Sequence, residues 1–157
     1  MRISAQDTGL SIALAPIIFG QQRDQFRQVF VDVWPKHREG APQEPLEQSI
    51  AAVIGAHPEY HGMLAEPDSL LRDFPIEGED SNPFLHMGMH ITIIEQITSD
   101  RPAGIQALYD ALRRRFYDTH ALEHAMMRCL AESLLEARDR NQPPDEQRYL
   151  SCVRLLL

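Results

Sequence analysis

From residue 21 onward, apolar side chains recur every three to four positions, the period of an amphipathic helix, and no segment alternates convincingly in the manner of a strand. Phe26, Val29, Phe30 and Val33 form one such stripe, widened by Trp34. They predict a helix over residues 21–37, which Pro35 should kink or end. Beyond the loop Glu39-Gly40-Ala41-Pro42, a second helix is expected from Glu44-Pro45, because proline suits a first turn. Its stripe reads Leu46, Ile50, Val53, His57, His61 and Leu64. Pro58 lacks an N–H, so the ladder must bend there or a fresh helix must start at His57. Residues 65–81, with Pro67, Pro75 and Gly78, read as a loop with one short turn at 69–73, long enough to cover a site.

Asn82 as cap and Pro83 in the first turn open a helix that ends before Pro102. Two more follow, over about residues 103–116 and 119–140, either separate with Asp118 as a cap or continuous with a bend there. Pro143-Pro144-Asp145 stops the run, and residues 145–157 make a final amphipathic helix. The pattern predicts an all-α, single-domain helical bundle of five to seven helices over residues 17–157, with residues 1–16 as an N-terminal extension.

Composition narrows the function classes. The 15 Lys and Arg against 23 Asp and Glu leave a formal charge of −8, which opposes a nucleic-acid or anionic-lipid surface. The one basic cluster, Arg113-Arg114-Arg115, reads as a solvated helix face. No apolar run approaches the roughly 20 residues of a membrane span. Residues 9–20 have the hydrophobicity of a signal-peptide core but follow Asp7 and lack a small-x-small cleavage site, so a cytoplasmic location is expected. Cys129 and Cys152 lack CxxC spacing and are expected as two buried thiols in a reducing compartment.

The histidines carry the candidate chemistry. Six of the seven stand in pairs four residues apart: His57 and His61, His86 and His90, His120 and His124. Residues at that spacing share a helix face. His86 and His90 lie on a stripe with Met89, Ile93 and Ile97; His120 and His124 lie with Glu123, Met127 and Leu134. These are inward faces, where an imidazole needs a partner for each ring nitrogen. Two readings follow. In the first, His86, His90, His120, Glu123 and His124, with His57, His61 and Glu59 nearby, bind a divalent transition metal (zinc, iron, manganese or nickel). Glu123 or Glu59 is then the carboxylate ligand or general base. In the second, the protein is noncatalytic, its histidines form a buried hydrogen-bond network, and its helices bind a protein partner or a second copy.

Cys129 sits about 180° around its helix from His120, and Glu95 likewise from His86, and both are excluded as ligands. The methionines at helical spacing read as core filling, and Tyr60 and Tyr109 as core anchors. His120-Ala-Leu-Glu123-His124 matches the H-x-x-E-H string of zinc peptidases. Such strings arise readily in helices, and only 33 residues follow His124, too few for a distant downstream glutamate ligand. Peptidase chemistry is therefore not assigned.

Four strings taken together resemble a known family. They are Asn82-Pro-Phe-Leu-His86-Met-Gly-Met-His90, His57-Pro-Glu-Tyr-His61, His120-x-x-Glu123-His124-x-Met-Met, and Pro144-Asp145 with Tyr149-Leu150. The combination resembles the bacterial domain of unknown function DUF1841, over about residues 18–156. The resemblance implies a small bacterial cytoplasmic protein and brings no activity with it.

Overall fold

The structure, a computed structural model, describes residues 23–66, 68–74 and 82–157. The expected N-terminal extension and most of the second half of the long loop lie outside the described residues. Within them the chain is all-α, with seven α-helices, consistent with the expected helical bundle. They are α1 Arg23–Arg38, α2 Pro45–Gly55, α3 His61–Ala65, α4 Pro83–Ser99, α5 Ile105–Leu112, α6 Thr119–Arg140 and α7 Glu146–Arg154. Short 3-10 turns occupy Pro58–Tyr60 and Ser69–Leu71. The described chain divides into two compact units, one within Pro16–Ile91 and one within Thr92–Leu157.

In the first unit, α1 packs on α2 through Phe30, Val33, Ile50, Val53 and Ile54, all buried. Phe30 meets Phe26 edge-on at 4.9 Å and Phe84 at 6.2 Å. Glu44 caps α2 reciprocally with Glu47, and Lys36 donates to Glu47 at 2.7 Å. The Lys36 hydrogen bond, then the Glu44 N–H, hold the Glu47 carboxyl below its ordinary pKa. Arg27 on α1 is 2% exposed. It donates to the carbonyls of Leu70 and Arg72 at 3.2 and 2.8 Å, tying the 3-10 turn at Ser69–Leu71 to α1. Pro35 does not end α1, one of the two outcomes expected of it. It lies in the exposed last stretch of the helix, where the Val31 carbonyl it leaves without a helical donor can be hydrated, and the Glu39 N–H still closes on the Pro35 carbonyl at 3.0 Å.

In the second unit, Asp118 caps α6 by accepting from the Ala121 N–H, and Asn141 ends it in the left-handed region at φ 50°. Helices α5 and α6 are thus separate. Helix α5 stops at Leu112, and Arg113-Arg114-Arg115 form an exposed turn where a helix face was expected. Leu112 is fully buried, and the three arginines after it have no apolar face that would repay continuing the helix. Helix α7, capped by Asp145, buries Tyr149, Leu150 and Val153. The Tyr149 hydroxyl donates to Gln96 Oε1 at 2.7 Å, and burial pushes its pKa far above the usual phenol.

Cys129 and Cys152 are not two free thiols: a disulfide joins α6 to α7, their Cα atoms 5.7 Å apart. Helix α7 packs against α6, which brings the two cysteines within bonding range. Among the described residues, no helix is long and apolar enough to cross a membrane.

Candidate metal centre

Pro58 sets the geometry of the first half of the site. Its ring disfavours helical backbone at the preceding residue. His57 accordingly leaves α2 at φ −124°, ψ 70°. The imidazole folds back on its own helix, and Nδ1 lies 2.8 Å from the Val53 carbonyl oxygen. A carbonyl only accepts, so in the neutral ring the proton sits on Nδ1 and Nε2 carries the lone pair. His57 Nε2 is 3.0 Å from His86 Nε2, which must then be the donor of that bond. His57 is 2% exposed, His86 4% and His90 1%. The ring of His57 lies 4.9 Å from that of His86 and 4.8 Å from that of His90, with His86 and His90 5.0 Å apart along α4. Tyr60 stacks parallel to His57 at 5.3 Å and closes one side. Asn82 fixes the start of α4 by accepting from the Leu85 N–H at 3.1 Å, which sets the phase of both its histidines.

In the second unit, α6 carries a histidine pair of its own. His120 and His124, both half-buried, place their rings 4.2 Å apart, one turn from each other. The Asp118 cap fixes the start of that turn. Glu123, also half-buried, interacts electrostatically with Tyr109 on α5. Burial, then the Glu123 charge, push the Tyr109 pKa up.

His57 and His90 in the first unit, and His120 and His124 in the second, each offer a ring nitrogen of the kind that can hold a metal ion. The other four expected residues are not among these: His86 bonds to His57, Glu123 interacts with Tyr109, and His61 and Glu59 have surroundings of their own. His61 donates from Nε2 to the Ile54 carbonyl at 2.8 Å and packs its ring 4.3 Å from Trp34. Glu59 is exposed on the 3-10 turn. What the sequence reading missed is the Val53 carbonyl that orients His57; its signal was Pro58, which throws the preceding side chain off the helix.

The sequence profile of the family described as "Domain of unknown function (DUF1841)" matches residues 22–155. The chain belongs to this family. No curated protein and no solved structure shows significant similarity to this DUF1841 chain, so its chemistry is argued from its own residues.

Proposed function

We propose that this DUF1841 chain is a metal-binding protein in which His57, His90, His120 and His124 each give one ring nitrogen to a single divalent transition-metal ion. The observation that carries the reading is the Nδ1–H of His57 held by the Val53 carbonyl. Ligating histidines characteristically commit their other N–H to a carbonyl or carboxylate, which fixes the tautomer and aims the lone pair. The paired rings of His57 with His90, and of His120 with His124, give each half of the site two donors. Four neutral imidazoles favour a borderline ion such as zinc or nickel over the oxygen-seeking manganese. His86 occupies the His57 lone pair with its own N–H until the ion takes that place. His61, engaged by Ile54 and Trp34, drops out of the ligand set.

A second reading has its own observation. The bonds from His57 to Val53 and His86 also satisfy that ring without any ion, as a noncatalytic histidine network would. Elemental analysis of purified protein reconstituted with zinc or nickel separates the two. Metal binding predicts one ion per chain, lost from a His120→Ala, His124→Ala double variant and from His57→Ala, but kept by His61→Ala. A wild type that takes up no stoichiometric metal after reconstitution, while the double variant melts much lower, would establish the network instead.

A further inference from the structure

The Cys129–Cys152 disulfide lies in an open groove of about 530 Å³ between α6 and α7, lined also by Glu132, Ser133, Glu136, Arg140 and Arg148. We propose that this disulfide is a thiol-exchange site, reached through the groove, at which an incoming thiolate attacks Sγ of Cys152. This rests on different residues from the metal reading and does not depend on it.

Three observations point to exchange. The two sulfurs differ in access: Cys129 is 3% exposed, whereas Cys152 is half-buried, so an attacking sulfur approaches Cys152 from the groove. Two guanidinium groups, Arg140 and Arg148, line the groove beside three carboxylates, Glu132, Glu136 and Asp139. Arg148 precedes Cys152 by four residues and shares its helix face. Both Arg148 and Arg140 sit 2.7 Å from the same oxygen of Glu136, which anchors them at the groove and places positive charge on the face of α7 that carries Cys152. Finally, α7 has docking contacts besides the disulfide. Tyr149, Leu150 and Val153 are all at most 2% exposed, and Tyr149 is hydrogen-bonded to Gln96. The bond can open while the helix remains in place.

The chemistry balances with two thiols as the co-reactant. The lone pair of the first thiolate forms a bond to Sγ of Cys152 as the Sγ–Sγ bond breaks. The bonding electrons leave on Sγ of Cys129, which takes a proton from water. A second thiolate attacks the substrate sulfur of the mixed disulfide and releases Cys152 as thiolate. Two thiols are oxidised to one disulfide, and the cysteine pair is reduced. The substrate class is an accessible thiol, either a small molecule or a cysteine of a peptide.

The test uses the 157-residue chain under native conditions. Oxidised protein is treated with a millimolar excess of reduced glutathione, or of a cysteine-containing peptide, and alkylated thiols are counted by mass spectrometry. Exchange predicts opening of the disulfide without denaturant and no loss of helical circular dichroism. The preferred source is the thiol that reacts faster. With oxidised glutathione, the Cys129→Ser variant should form a mixed disulfide at Cys152 about tenfold faster than Cys152→Ser forms one at Cys129. A disulfide that opens only in denaturant, equal rates for the two variants, or loss of helicity on reduction would each overturn the proposal.

Discussion

Replacing Arg27 with leucine is expected to lower the free energy of unfolding by about 3 kcal/mol. The guanidinium donates to two carbonyls of the segment after α3 and lies 5.3 and 5.1 Å from the ring centroids of Phe74 and Phe84. A hydrogen bond from a charged donor contributes about 1.5–3 kcal/mol, and a partly desolvated cation–π contact about 0.5–2. These are not additive, because both carbonyls are only partly buried and regain some water when the donor is removed. Burial, then the neighbouring Arg23, already hold the Arg27 guanidinium below its ordinary pKa, so the charge is kept at a cost that the two acceptors offset. Lysine at this position should recover less than half of the loss, since one ammonium cannot donate to two carbonyls and also lie flat on two rings. Urea denaturation measures this through the midpoint at constant slope. A leucine variant within about 1 kcal/mol of the wild type would mean that Arg27 is not what holds this segment.

The second large effect concerns the disulfide. Cys129 and Cys152 are separated by 23 residues, and closing a loop of that length in the unfolded chain stabilises the folded state by about 3 kcal/mol. For a chain of this size, that corresponds to a melting temperature lower by roughly 6–12 °C in reductant than in its absence. The Cys129→Ala, Cys152→Ala variant should melt near the reduced wild type and be indifferent to reductant. Equal melting temperatures for the oxidised and reduced wild type would show that the crosslink adds nothing to the fold. A drop of this size is compatible with reversible opening, because domains commonly have about 5–15 kcal/mol of stability.

Most helix boundaries were legible because their causes are local. Asn82-Pro83, Asp118 and Asp145 each act within one turn, through a side-chain oxygen on a nearby N–H, and the structure shows each of those bonds. Pro35 does not end α1, and the carbonyl it leaves without a donor lies in a stretch of the helix open to water, which lowers the cost of the lost bond. The histidine pairs on α4 and α6 were visible as spacing, since each pair lies within one uninterrupted helix. The upstream pair was not of that kind. Pro58 places His57 outside α2 while His61 begins α3, so the two no longer share a helical face, and each ring finds its own backbone carbonyl. The disulfide was illegible for another reason. It depends on how α7 returns along α6, a tertiary pairing that no local pattern in either helix encodes.

The turn between α5 and α6 has a practical consequence. Arg113, Arg114 and Arg115 are all exposed and outside any helix, and Tyr117 beside them is fully exposed. Three consecutive cleavage points for trypsin thus sit in an accessible strip of backbone. A single nick there sends His57, His86 and His90 to one fragment and His120, His124 and both cysteines to the other. Mixing the two purified pieces with and without zinc would then turn the question of a shared ion into one of metal-dependent complementation.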